Sequence, residues 1–184
     1  MKDTREKLDE AKFFLKEMKK NEDNSSFDYY LSAFISSARS VIWIMRSEHS
    51  HLEKWKGWYD SLSISSEEEV FLKKINGIRI RCEKIKPLQT KVAIELSLPL
   101  GFESKELEEF IKNNANTELE VDINETEDEY KPADVTDERA SFQCMMSDVY
   151  KTIEDFLNEN VITVCERYLH WLERIVDEGE RIIG

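Results

Sequence analysis

Residues 27–45, FDYYLSAFISSARSVIWIM, constrain the fold more than any other stretch of the chain. At helical spacing Phe27, Leu31, Phe34, Ala38, Val41 and Met45 form one seam, while Tyr30, Ile35, Ile42, Trp43 and Ile44 put apolar surface on the remaining faces. A helix apolar nearly all round predicts a central element enclosed by other helices. Ser32, Ser36 and Ser40 recur every fourth residue and, with Ala33 and Ser37, make a narrow strip on which another helix can come close. That strip is a packing surface and not a chemical site.

Helical signals surround this segment. Asp3 with Glu6 has the spacing of an N-cap and its reciprocal acceptor, and Leu8, Ala11, Phe14, Leu15 and Met18 mark a first amphipathic helix to about Lys20. Ser25 with Asp28 can cap the central helix, which should reach Arg46 or Glu48. Ser50 with Glu53 precedes a short third helix striped by Leu52, Trp55, Trp58, Tyr59 and Leu62. Ser65 with Glu68, or Ser66 with Glu69, opens a fourth, striped by Phe71, Ile75, Ile78, Cys82 and Ile85 and stopped by Pro87. Short connections between four helices predict an up-and-down bundle. With only 5 Gly and 3 Pro in 184 residues, a turn-rich sandwich is disfavoured.

From Lys91 the period changes to two. Val92, Ile94, Leu96 and Leu98 alternate, and Leu119, Val121 and Ile123 repeat the pattern, so two strands are expected to pair as a small antiparallel sheet, with VYKTI (149–153) as a third. Between them a short helix capped by Ser104 is expected, and residues 125–139 read as a mobile acidic loop. Val161, Val164, Cys165, Tyr168, Leu169, Trp171, Leu172, Ile175 and Val176 mark a long last helix, from about Asn160 to Ile182, returning to the bundle. The expected organisation is one domain over 1–184: a four-helix core at 1–90, a β and loop insertion at 91–155 and a closing helix at 156–184.

Charge divides the chain more sharply than its net value of -13 suggests. Residues 1–92 carry 18 Lys+Arg and 15 Asp+Glu, a net +3, whereas residues 93–184 carry 8 and 24, a net -16. Lys73, Lys74, Arg79, Arg81 and Lys84 lie off the apolar seam of the fourth helix and are the candidate contacts for the phosphates of RNA or a nucleotide. The same pattern also suits a plainly solvated face. A third arrangement has the acidic stretch 118–138, with ten carboxylates against Lys131, resting on this face and competing with nucleic acid.

Other chemistry is poorly represented. Cys82, Cys144 and Cys165 are far apart among apolar neighbours, which suits reduced buried thiols and gives no metal spacing; no cofactor motif is present. The longest apolar run, Val41 to Met45, is five residues, so no membrane span is expected, and the charged first ten residues lack a secretory h-region, which makes the cytoplasm the default. Arg39, inside the central helix, reads as a buried or interface cation paired to a carboxylate. The Trp and Tyr residues are at core spacing and give no stacking platform.

Several runs carry a family resemblance. Tyr29-Tyr30-Leu31-Ser32-Ala33-Phe34, Ser36, Ala38-Arg39-Ser40-Val41 and Trp43 resemble the second helix of uncharacterised prokaryotic members of the HEPN superfamily. Trp58-Tyr59, Ile85-Lys86-Pro87 and Val164-Cys165-Glu166-Arg167-Tyr168-Leu169 are similar to later family segments. The resemblance implies a helical bundle that dimerises through its long helices, in a toxin or defence setting. In active members an Arg-Asn-x-x-x-His motif before the closing Pro makes a metal-independent endoribonuclease site across the dimer. Counting back from Pro87, this chain has Asn76 in the Arg position, Gly77 in the Asn position and Arg81 in the His position. An arginine does not release its proton at working pH, so Arg81 is no general base.

Three functions remain open. The first is noncatalytic binding of RNA, a nucleotide or a protein partner by a homodimer. The second is a metal-independent endoribonuclease using Arg46 and His51, which have the bare Arg-x4-His spacing but lie at the junction of the second and third helices. Structurally, that stretch reads as Arg46 and His49 facing the carboxyl end of the second helix, with His51 opening the third. Glu48-x-x-His51 matches half of a di-iron signature and has no second half. The third function is a purely structural interaction module.

Overall fold

The computed structural model describes residues 1–22, 24–99, 121–126 and 146–183, with backbone alone at 94–99, 121–126 and 146–148. The chain forms a mainly helical bundle and a small sheet. These are two compact units, residues 1–89 with 161–184, and residues 90–160. The expected helix at Ser104, most of the acidic stretch and Cys144 lie outside the described residues.

The helical unit contains α1 (Lys2–Lys20), α2 (Phe27–His49), α3 (Glu53–Ser61), α4 (Ser66–Lys84) and α5 (Val161–Ile183). Phe27, Leu31, Phe34, Ala38, Val41 and Met45, the seam of α2, are all fully buried. They meet Leu8, Ala11 and Met18 of α1, Ile75 and Ile78 of α4, and Val164, Tyr168 and Leu172 of α5 in one core. Each fully buried aliphatic or aromatic side chain contributes about 1.5–3 kcal/mol of apolar burial. The apolar period of each segment is therefore the main determinant of its helix.

Helix directions follow from named contacts. Arg5, Lys12 and Lys19 of α1 pair with Glu180, Glu173 and Glu166 of α5, stepping by seven in opposite senses, so α1 and α5 are antiparallel. Phe34 meets Tyr168 and Met45 meets Gly179, so α2 and α5 run together. On α4, Glu68 reaches Arg174 and Phe71 reaches Tyr168, opposite in sense to α5. Gly179 allows this approach: a Cβ there would lie 2.2 Å from Met45 Cε and 3.0 Å from Trp58 Cη2.

Capping departs from local expectation except at α4. There the Ser65–Glu68 capping box is complete, with Glu68 N donating to Ser65 Oγ at 3.1 Å and Ser65 N to Glu68 Oε2 at 3.0 Å. The start of α1 is instead capped from a distance by Glu48 of α2, which accepts from the Asp3 and Thr4 amides at 3.2 Å each and from the Thr4 hydroxyl. Neither α2 nor α3 has a side-chain cap on its own N-terminus.

The central helix is also less enclosed than its composition predicts. Tyr29 is 76% exposed and Trp43 56%, with Ser36 exposed between them, so one stripe of α2 at heptad spacing is open. Ser32 is used internally, accepting from the Cys82 thiol of α4 at 3.2 Å. The small-residue strip therefore serves α4 at one edge and is uncovered at the other.

The second unit holds β1 (Lys91–Pro99), β2 (Val121–Thr126) and β3 (Met146–Thr152) in the order β2-β1-β3. The antiparallel pairing is β1 with β3, in register from Lys91↔Thr152 to Ile94↔Val149 with an irregularity after Glu95. The pairing of β1 with β2, expected to be antiparallel, is parallel, from Ile94↔Val121 to Pro99↔Thr126. Alternation reports that a strand has two faces but not its direction, and residues 100–120 are long enough for the crossover that a parallel pair requires. At the outer end of β1 it is Ala93 that is buried, while Val92 is exposed. After β3 the chain turns, with Thr152 Oγ1 within hydrogen-bond distance of the Phe156 and Leu157 carbonyls and Ile153 bridged to Phe156.

Candidate anion-binding site

The cationic side chains of α4 have unequal positions. Lys73, Lys74 and Lys84 are exposed; Arg79 and Arg81 are half-buried. Lys73 pairs with Glu69 at 2.7 Å one turn back, and its hydrogen bond and charge hold the Glu69 carboxyl below the usual carboxylate range. Arg79 Nη1 pairs with Glu83 at 3.2 Å one turn on. Lys84 forms no ion pair among the described residues. Gly77 leaves open space on the helix beside Arg81, whose Nη1 would be the nearest atom, 3.9 Å from a Cβ placed there. The stretch is thus a cationic face that is partly neutralised by its own helix.

Arg39 of α2 has surroundings that its sequence context does not predict. It forms no ion pair or hydrogen bond among the described residues, contrary to the expected carboxylate partner; its guanidinium lies 5.6 Å from the centroid of the Trp43 ring instead. An aromatic face attracts a cation by about 0.5–1 kcal/mol at exposed sites and leaves its N–H donors unused. Both Arg39 and Arg79 act electrostatically on Tyr168, a buried side chain of α5. Burial pushes the Tyr168 hydroxyl up to about 12, with the two guanidinium charges pulling the other way, so the phenol is neutral at pH 7.

Four buried side-chain nitrogens of the described residues lack a partner: Arg39 Nε, Arg79 Nε, Trp171 Nε1 and His49 Nε2. Trp171 stacks on the Tyr168 ring at 6.3 Å and 19°. Phe34 and Phe71 contact the same ring edge-on at 6.5 and 6.4 Å, and Arg167 lies 4.2 Å over Phe71. Buried polar groups normally find partners, so each of these unmatched nitrogens stands out.

Arg46 and His51 are placed differently. The Arg46 guanidinium is exposed and lies over two rings, 5.5 Å from Trp43 and 5.6 Å from Tyr59. His51 is exposed in the turn before α3, and no hydrogen bond joins the two among the described residues. His49, expected as a cation at the carboxyl end of α2, is instead half-buried against Trp55 at 6.0 Å, and burial lowers its pKa. Glu48, 3.7 Å from the His49 ring, is engaged at the start of α1. Among the described residues no group of His, Cys, Asp and Glu could hold a metal ion, and no helix is long and apolar enough to cross a membrane.

What the sequence pattern missed is the open stripe of α2. Trp55 and Trp58 are buried, as core spacing implies, whereas Trp43 is exposed and flanked by Arg39 and Arg46. A signal was present in the i, i+4, i+7 placement of Arg39, Trp43 and Arg46, which puts all three on one side of the helix. Compared with protein-family models, with curated proteins and with solved structures, the chain matches none of them.

Proposed function

We propose that this chain is a noncatalytic HEPN-like binding protein that works as a homodimer through α2 and holds the phosphates of RNA or a nucleotide on the face shared by α4 and Arg39. The observation that carries the reading is the Arg39 guanidinium, half-buried and without a carboxylate among the described residues, acting on the same Tyr168 as Arg79 of α4. A cation kept there without a partner costs stability, and an anionic ligand offsets that cost. The uncovered stripe of Tyr29, Ser36 and Trp43 supports the dimer, because it leaves two large aromatic side chains of the central helix exposed. Arg81 in the position of the family base supports the absence of catalysis.

A mobility-shift titration of labelled single-stranded and hairpin RNA, with chelator present and salt varied, tests this reading. The expected result is intact, shifted RNA whose retention weakens with salt and is lost in Arg79→Glu/Arg81→Glu. Cleavage that persists in chelator and is abolished by His51→Ala would overturn it in favour of a ribonuclease using Arg46 and His51. Intact, unshifted RNA together with no bound nucleotide would leave a protein-partner module.

A further inference from the structure

Two arginines of α2 share one exposed ring. The Arg39 guanidinium lies 5.6 Å from the centroid of Trp43 and the Arg46 guanidinium 5.5 Å from it, and Arg46 also lies 5.6 Å from the Tyr59 ring of α3. Tyr59 stacks in turn on the buried Trp55 at 5.2 Å and 20°, so the row Arg39, Trp43, Arg46, Tyr59 is anchored in the core at one end. Neither guanidinium has an ion pair or hydrogen bond among the described residues. In a chain with 39 Asp+Glu against 26 Lys+Arg, two neighbouring arginines without a carboxylate are unexpected, since Arg5, Lys12, Lys19 and Arg174 each have one. Both are within reach of a ligand: Arg46 is exposed, Trp43 between them is more than half exposed, and of the Arg39 nitrogens only Nε is enclosed without a partner.

We infer that Arg39 and Arg46 form a track for the phosphates of an RNA strand, with Trp43 and Tyr59 as positioning residues. The inference rests on the proposed phosphate-binding function and deepens it, by naming a strand over a mononucleotide. A guanidinium held over an aromatic ring keeps its N–H donors for another group, and a fixed fork suits two oxygens of one phosphate. The two arginines are seven residues apart, about 10 Å along the helix. A single phosphate meets one of them; a strand that carries phosphates in series meets both. At about 3.6 residues per turn both arginines fall on the same flank of the Tyr29, Ser36 and Trp43 stripe, so the track borders the proposed dimer surface without replacing it.

The test uses the full chain with a labelled oligouridylate dodecamer and with uridine monophosphate, following binding by fluorescence anisotropy over a series of salt concentrations. The dodecamer should bind with an affinity that falls with salt, and uridine monophosphate at equal phosphate concentration should not displace it. Arg46→Ala should weaken binding about tenfold at low salt, as the loss of a charge-assisted contact requires. It should also reduce the slope of log K against log salt by about 0.7, the value for one phosphate of a single strand. Arg46→Lys and Tyr59→Leu keep both charges and should weaken binding with the slope unchanged, a separation that a merely structural role does not produce. Lys12→Ala, whose cation already has Glu173, should change neither. A dodecamer that is lost in Arg79→Glu/Arg81→Glu but bound by Arg46→Ala with unaltered affinity and slope would overturn the inference while leaving the broader proposal intact. Displacement by uridine monophosphate, or an Arg46→Lys variant that binds as tightly as the unaltered chain, would do the same. No binding of either probe would overturn both.

Discussion

Arg5 and Glu180 join the two ends of the helical unit through a forked pair, Arg5 Nε to Glu180 Oε1 at 2.9 Å and Nη2 to Oε2 at 2.5 Å, with Asp177 also 2.6 Å from Nη2. The Arg5 hydrogen bond holds the Glu180 carboxyl below its ordinary value against the opposing effect of burial. A carboxyl depressed in the folded state contributes stability above its unfolded pKa, and that contribution disappears as pH falls through the folded value. Thermal melts from pH 6 down to pH 2 should therefore show a loss that is smaller in Arg5→Gln. At partly exposed positions the difference at pH 6 is about 1 kcal/mol or less after solvent screening.

The distant cap on α1 makes a second stability prediction. Burial alone would raise the Glu48 carboxyl, but the Thr4 hydroxyl and the Asp3 and Thr4 amides bring it below the usual range. Glu48→Ala removes the acceptor from the fully buried Thr4 and from the positive end of the helix dipole. Urea denaturation should show a loss of about 1–3 kcal/mol, the cost of an unsatisfied buried donor with a lost cap. Glu48→Gln, which keeps an acceptor oxygen, should lose less and should also flatten stability below pH 5.

These two contacts mark where sequence reading stops. The α2 seam and the Ser65–Glu68 box were legible because both are local, set by residues three or four apart on one helix. The cap on Thr4 was not, because its acceptor is 44 residues away and no spacing rule spans that distance. Strand alternation located β1 and β2 but said nothing of direction, which the crossover decides. At the site, the cations of α4 stood out as a run, whereas the isolation of Arg39 was hidden. A lone arginine in an apolar helix normally implies a carboxylate, and only the tertiary fold shows Trp43 in its place.

The open stripe of α2 gives a test of assembly that is separable from folding. Trp43 is 56% exposed, so Trp43→Ala alters little of the protomer's own core and should leave monomer stability within about 0.5 kcal/mol. It also frees Arg39 and Arg46 from their shared ring, a minor loss at an exposed position. If α2 is the dimer surface, sedimentation at micromolar concentration should show a dimer for the unaltered chain and a monomer for Trp43→Ala and for Ser36→Lys. An unchanged sedimentation coefficient for both variants would move the dimer contact off α2.

Arg39 should reveal its purpose in the sign of a stability change. A residue retained for packing destabilises when removed; one retained for a ligand stabilises the unliganded protein when replaced by an apolar side chain of similar length. Arg39→Met keeps the stem, removes a half-buried charge and an orphan N–H, and gives up the attraction to Trp43. The orphan donor costs about 1–3 kcal/mol and the cation–π contact returns about 0.5–1 kcal/mol, so Arg39→Met should be the more stable by about 1 kcal/mol. For a unit of this size that raises the melting temperature by about 4 °C. The same variant should weaken phosphate binding, and saturating the unaltered chain with a bound nucleotide or RNA should narrow or reverse the gap in melting temperature. A lower melting temperature for Arg39→Met without ligand would instead make Arg39 a structural cation.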